Sequence, residues 1–334
     1  MKYPDKKTTA YLLVLFLSTT AQAGHIHERP DTHAPAGIMG DHVMDIDEVM
    51  LSYRYMSMQM DGNLDGTRSV AAPLPGFMVS PLSMDMTMHM LGAMYAPTEK
   101  LTLSLMASVL SLSMDHRVNM NNVEFTTESR GIGDINIGAV YQLAATSDTN
   151  LLLNFSLGVP SGSIDEKDVT PASNGVPVQL PYPMQTGSGS YSITPGLTYT
   201  HAYSTWSWGA QGLYKYYIDT NDNGYKLGDK INISGWIARN LNPRFSLSAR
   251  LNAQDWGNID GADKKLSPAP TLPTKNPELR GGSRIDALIG VNYIADELNA
   301  LRFSMEIGTP IYQNLNGPQL QTNLLFTLGA QYVF

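Results

Sequence analysis

The chain contains no cysteine, which excludes thiol nucleophiles, disulfide staples and thiolate metal sites. It is also poor in charge: Asp, Glu, Lys and Arg make up 16% of its 334 residues, against ~25% in ordinary soluble domains. With 43% hydrophobic residues, that leaves too much apolar surface for a disordered chain. Lys and Arg number 22 against 30 Asp and Glu, a formal charge of -8, so no cationic surplus exists to neutralise a phosphate backbone. Nucleic acid is therefore not an expected partner. No apolar run reaches the ~20 residues that a membrane-spanning helix needs. A G-x-S-x-G elbow, a P-loop, a complete Rossmann fingerprint and a His-Glu-x-x-His pair are all missing, and no catalytic residues are expected.

What is present begins with an export signal. Lys2, Lys6 and Lys7 precede the short apolar run from Tyr11 to Leu17, and Ala21-Gln22-Ala23 has the small-x-small pattern of a signal-peptidase site. The expected organisation is a signal peptide over 1–23, cleaved after Ala23, then an extended arm or plug over 24–47, then one large β domain over 48–334.

From residue 48 onward the chain repeats one design, about ten residues of period-two alternation followed by a break. Twelve such runs fall near 48–60, 84–96, 101–114, 131–143, 150–159, 190–201, 206–217, 229–239, 245–256, 284–293, 300–309 and 320–334. Each approximates the ~9–11 residues of a tilted membrane-crossing strand. The breaks alternate: those at 97–100, 144–149, 202–205, 240–244 and 294–299 are short, while those at 61–83, 115–130, 160–189, 218–228, 257–283 and 310–319 are mostly longer and polar. Short turns on one side and long loops on the other are the habit of outer-membrane barrels.

The faces agree. Leu301, Phe303, Met305 and Ile307 oppose Arg302, Ser304 and Glu306; Ile285, Ala287, Ile289 and Val291 oppose Arg284 and Asp286; Phe245, Leu247 and Leu251 oppose Ser246, Ser248 and Arg250. In a soluble sandwich the apolar face would be the core; in a membrane barrel it meets lipid and the polar face encloses a lumen. The last run, Leu324 to Phe334, alternates and ends on an aromatic, like the C-terminal strand by which barrel assembly machinery recognises its clients. The expected fold is all-β: a single transmembrane up-and-down antiparallel barrel of about 12 strands in the bacterial outer membrane, surrounded by lipid and lipopolysaccharide. A barrel of that size has a narrow or partly plugged pore.

Gly131-Ile132-Gly133-Asp134, Leu157-Gly158-Val159-Pro160-Ser161-Gly162, Gly187-Ser188-Gly189-Ser190-Tyr191 and Pro195-Gly196-Leu197 occur in that order. The pattern resembles the outer-membrane family of the MetA pathway of phenol degradation, mainly over residues 130–200. The resemblance implies a transporter-like barrel that passes small, aromatic molecules.

The unusual chemistry is methionine. Of 18 methionines, 15 lie between Met39 and Met120, and strand propensity gives no account of them. Met56, Met58 and Met60 are spaced by two, as are Met84, Met86, Met88 and Met90, with Met94 on the same face; in extended strands each set shares one side. Both stripes, with Arg54, are expected to face the lumen and each other near the outer mouth. Thioether sulfur suits Cu(I) and similar soft ions. His25 and His27, beside His33 and His42 on the arm, and His116 near Met114 are candidate supplementary ligands, for Cu(I) or Cu(II). The leading expectation is therefore a channel whose cargo is a soft metal, with no cofactor required. The alternatives are an apolar lining for phenol-like solutes, Met being an adaptable apolar surface, or simple packing in a structural barrel. Arg54, Asp134, Arg250, Arg284, Asp286, Arg302 and Glu306 are expected as polar lumen residues, pairing across strands. The runs Asp61, Asn63, Asp65, Gly66 and Asp219, Asn221, Asn223, Gly224 imitate the opening of a calcium loop but lack its closing Glu, and read better as Asx turns.

Overall fold

A computed structural model of the chain describes residues 29–266, 271–295 and 301–334. The expected signal peptide, with His25 and His27, lies outside the described residues. Among the described residues the only helices are three single 3-10 turns, and none is long and apolar enough to cross a membrane.

The principal strands are β1 (Val49–Gly66), β2 (Val79–Thr98), β3 (Leu101–Val118), β4 (Glu124–Ile132), β5 (Ile135–Ala145), β6 (Thr149–Val159), β7 (Ser192–Ala202), β8 (Trp206–Tyr217), β9 (Lys230–Asn242), β10 (Phe245–Trp256), β11 (Gly282–Ala295) and β12 (Leu301–Val333). Each pairs antiparallel with its sequence neighbour, except that β4 and β5 follow one another along β3. The sheet closes through β1 and β12, from Met50 opposite Val333 to Gly66 opposite Leu315, with the Phe334 N–H donating to the Val49 carbonyl at 2.8 Å.

Ten staves, counting β4 with β5 as one, precede β12, so eleven elements line the path. An all-antiparallel ring must have an even number of staves. The 33-residue β12 resolves this by reversing direction, since residues 301–315 pair with β11 and residues 315–333 pair with β1. The reversal lies near Gly317, at φ +81°, where a residue without Cβ is favoured. Thr309 Oγ1 donates to the Asn323 carbonyl at 2.8 Å across the two limbs. The barrel thus has twelve staves, with closure pairing the first and last strands of the main sheet and so removing the two free edges that an open sheet would present.

The outside is apolar: Leu51, Leu91, Leu105, Ile233, Leu251 and Ile289 are each about half or more exposed. The inside is polar: Thr198, Ser246, Asp286, Asn292 and Glu306 are almost wholly buried. This inverted pattern fits lipid outside and a lumen within. Tyr95, Tyr141, Trp208, Phe245, Phe303 and Phe334 stand exposed at the strand ends next to the short turns, the level where membrane barrels carry an aromatic girdle.

Several expected loops need correction. Residues 61–66 and 79–83 are strand, not loop: β1 and β2 pair out to Asp61 and Ser83, and β1 goes on to Gly66. Of the expected loop at 115–130, residues 115–118 and 124–130 are strand, paired as β3 and β4. Similarly, 310–319 belongs to the β12 hairpin and is not a long loop. At 61–66 and 310–319 the backbone ladder continues beyond the apolar belt, where neighbouring segments cover residues on either face, as at Asn63, Leu64, Leu315 and Gln319, and period-two alternation disappears.

Candidate functional site: the lumen

The lumen has two unlike walls. The first comes from β1, β2 and β3, where Met56 faces Met88, Met58 faces Met86 and Met60 faces Met84 across the β1–β2 register, while Arg54 faces Met90 and Met50 faces Met94. The next register sets Met84 opposite Met114, Met86 opposite Leu112 and Met88 opposite Leu110. Period-two spacing on strands paired in this register places the two methionine stripes side by side. The outward positions of β2 carry His89, whose ring approaches Tyr55 at 5.2 Å and whose Nδ1 lies 2.8 Å from the Tyr53 hydroxyl.

The upper part of this wall is capped by the loop between β6 and β7. Leu180 and Met184 fold inward and pack with Met84, Leu112 and Met114, with Met60, Met86 and Leu320 against them. The Ser129 hydroxyl donates to the Met184 carbonyl at 2.6 Å. His116, on the same face two residues beyond Met114, is buried and stacked on Phe125 at 4.9 Å. Asp134, expected as a lumen group, is a loop anchor: its carboxylate accepts from Gly162 N at 3.1 Å, Ser188 N at 3.0 Å and Ser188 Oγ at 2.6 Å. The Gly131–Asp134, Ser161-Gly162 and Gly187–Gly189 segments therefore meet at one place. The backbones of Gly162 and Gly187 touch there so closely that a Cβ on Gly162 would sit 2.6 Å from the Gly187 Cα.

The second wall, from β9 to β12, is charged and internally braced. Arg250 grips Glu306 through two hydrogen bonds of 2.8 and 2.7 Å, and both side chains are nearly inaccessible, at 7% and 1% exposure. Arg284 pairs with Asp286 at 2.8 Å and donates to Thr322 Oγ1 at 2.6 Å, while Asn252 links Ser234 to Asp286. Arg302 is buried in the same wall. Bidentate, charge-assisted pairs of this kind fix the wall's shape. They meet the methionine wall at one point, where Met58 Sδ accepts from Arg284 Nη1 and Thr322 Oγ1, both at 3.7 Å.

Residues 30–44 lie inside the barrel, and residues 45–47 are exposed at its rim. The Pro30 carbonyl accepts from Ser246 and Asn292, the Asp31 carbonyl from Ser207, the Ile38 carbonyl from Arg54, the Met39 carbonyl from Gln211 and the Gly40 carbonyl from Asn154. Gly37 N–H donates to Glu306 Oε2 at 3.0 Å, and Met44 N–H to Thr102 Oγ1 at 2.9 Å. Ser207, Ser246, Asn292 and Thr102 are near the short-turn ends of their strands, whereas Glu306 and Asn154 are further up the wall. The segment rises from the short-turn side, turns near Gly37–Gly40 and descends into β1. The sequence carried no periodic signal for this path, because its partners are spread over the whole barrel.

The calcium-like run at 219–224 is an Asx turn, with Asn221 Oδ1 accepting from Asn223 N and Tyr225 N. In the other run Asn63 donates to the Pro81 carbonyl, and Gly66 takes the φ of +63° that its hairpin end requires.

A closed barrel with an aliphatic belt, an aromatic girdle and a braced, polar lumen is the architecture of a bacterial outer-membrane β-barrel. The chain belongs to the family described as "Putative MetA-pathway of phenol degradation", whose sequence profile matches residues 76–266. Among solved structures it is similar to the COG4313 outer membrane channel from Pseudomonas putida F1, at 14% identity and a TM-score of 0.63, with 88% of this chain and 98% of that chain covered. Weaker similarities are to the transport unit of the autotransporter AIDA-I from Escherichia coli, at 11% identity and TM-score 0.48, covering 86% and 90% of the two chains. The TodX monoaromatic hydrocarbon channel deltaS2 mutant follows at 12% identity and TM-score 0.46, covering 90% and 92%. No curated protein matches the sequence. The shared fold is that of an outer-membrane β-barrel.

Proposed function

We propose that this channel passes small, weakly polar aromatic compounds of the phenol type. The observation that carries the reading is the pairing of a thioether and leucine wall with a polar one across the same lumen. Methionine is polarizable and adaptable, and its sulfur makes favourable contacts with ring edges, worth ~0.3–1.5 kcal/mol each. A hydroxyl on the same solute then faces serines, threonines and amide groups that exchange hydrogen bonds with it. The family's description, and its occurrence on an outer-membrane barrel, support the same solute class.

The copper reading of Met56, Met58, Met60, Met84, Met86, Met88, Met90, His25, His27 and His116 fares less well on physical grounds. Met58 sulfur already accepts from a guanidinium, a fixed positive charge that opposes a cation there. Met60, Met84 and Met86 pack with leucines under Leu180 and Met184, where their sulfurs fill space.

The test is uptake of labelled phenol by Gram-negative cells, whose lipopolysaccharide leaflet retards apolar solutes, with and without the barrel. Expression should raise the initial rate. Changing Met56, Met58, Met86 and Met88 together to Leu should preserve the gain, and changing them to Gln should remove most of it. A barrel that binds Cu(I) stoichiometrically, loses it in the Leu variant and leaves phenol uptake unaltered would reinstate the metal.

A further inference from the structure

We propose that the lumen segment carries a binding site for a late first-row divalent cation such as Zn2+, formed by His33, Asp41 and His42. One donor atom from each of the three residues lies within 4.8 Å of the others. The two imidazoles stand edge to face with centroids 5.3 Å apart, and His42 Nδ1 is 3.0 Å from Asp41 Oδ1. A tetrahedral ion with ligands at ~2.0–2.1 Å holds its donors roughly 3.3 Å apart, so small side-chain rotations close the three groups on an ion.

The donors are pre-positioned by backbone. His33 belongs to the rising limb of the segment, and Asp41 and His42 to the descending limb. The turn between the limbs is held by Gly37 on Glu306 and by the Met39 and Gly40 carbonyls on Gln211 and Asn154. Asp41 Oδ2 also accepts from Ala34 N–H at 2.9 Å, tying the limbs together beside the site. An ion bound here would staple the hairpin at its base and hold it in the lumen.

The chemistry of the donors selects the ion. Arg302 and Arg54 are near enough to act on Asp41 through their charge, which weakens any ion held by carboxylate attraction alone. Two neutral imidazoles must supply the affinity, which favours Zn2+, Ni2+ or Cu2+ over Mg2+ and Ca2+.

The experiment uses the refolded mature barrel with His25→Ala and His27→Ala, removing the other arm histidines as competing ligands. Zn2+ alone is titrated calorimetrically, and hydrogen exchange is followed over residues 30–46. One Zn2+ per barrel should bind, slowing exchange in this segment. His33→Phe and His42→Phe, made separately and checked for heat-modifiable migration, should each weaken binding at least ~10-fold and abolish the added protection. Failure of the His25→Ala/His27→Ala barrel to bind Zn2+, or equal affinity in a folded His33→Phe or His42→Phe variant, would overturn the site. Phenol uptake plays no part in these readouts, so the channel reading stands or falls separately.

Discussion

Gly37→Ala is the smallest change that separates the lumen segment from the barrel wall. A Cβ at this position would lie 2.6 Å from Glu306 Oε2 and 2.9 Å from Arg250 Cζ, with Arg250 Nη2 closer still. Neither partner can step aside cheaply. Arg250 is held by two hydrogen bonds to Glu306 and a longer one to Ser234, each charge-assisted bond being worth ~1.5–3 kcal/mol. Overpacking of this kind costs roughly 1–3 kcal/mol, and moving the turn away also forfeits the Gly37 to Glu306 hydrogen bond. The wall keeps its ion pair if the segment yields, so the whole cost falls on the segment. The expected result is about 5- to 100-fold faster hydrogen exchange over residues 30–46, larger single-channel conductance in planar bilayers, and unchanged thermal unfolding of the barrel. Unaltered exchange and conductance would show that the turn has slack that the geometry denies. Loss of heat-modifiable folding would show instead that the segment is integral to the barrel.

Glu306→Gln leaves Arg250 buried with its charge uncompensated, and should cost ~3–5 kcal/mol in denaturant unfolding, whereas Arg250→Met with Glu306→Leu should recover most of that loss. Asp134→Ala removes three hydrogen bonds at once, and should free the 160–191 loop for proteolysis by an external protease while leaving barrel unfolding little changed. The Asp165 carboxyl is held below the usual carboxylate range, first by its hydrogen bond from Lys265, at 2.5 Å, and next by Asn223. Its folded pKa being depressed, the contribution is complete above the unfolded value of ~3.9 and disappears as pH falls through the lower folded value. The pair is about half exposed, so the effect is below ~1 kcal/mol; Asp165→Asn should flatten the acid dependence of loop exchange measured across that window.

Much of the barrel was legible because its physics is local. A strand between lipid and a polar lumen must alternate at every step, and all twelve staves appear where the alternation places them, down to the inward turn of Met56, Met58 and Met60. Legibility fails where that constraint ends. Beyond the apolar belt, adjacent residues of β1 and β2 such as Asn63 and Leu64 are both covered by neighbouring segments, and residues 61–66 and 79–83 look like loop although their backbone ladder continues. Asp134 read as a lumen group for a related reason: its carboxylate is spent on amides and a hydroxyl of residues 162 and 188, and spacing along the chain contains no trace of that meeting.

The methionines show where such reading stops. Period two settles that their sulfurs share a face, and neighbouring strands settle that the two stripes adjoin. Neither settles what stands across the lumen, and the chemistry turns on that. Against carboxylates and free imidazoles, the same stripes would invite a soft cation. Here the group meeting Met58 is the Arg284 guanidinium, itself tied to Asp286, and the groups above Met84 are Leu180 and Met184. A fixed positive charge and an apolar lid both disfavour a bare ion, and neither penalises an uncharged ring. The cargo reading therefore moves from metal to aromatic solute without any change in where a single methionine points.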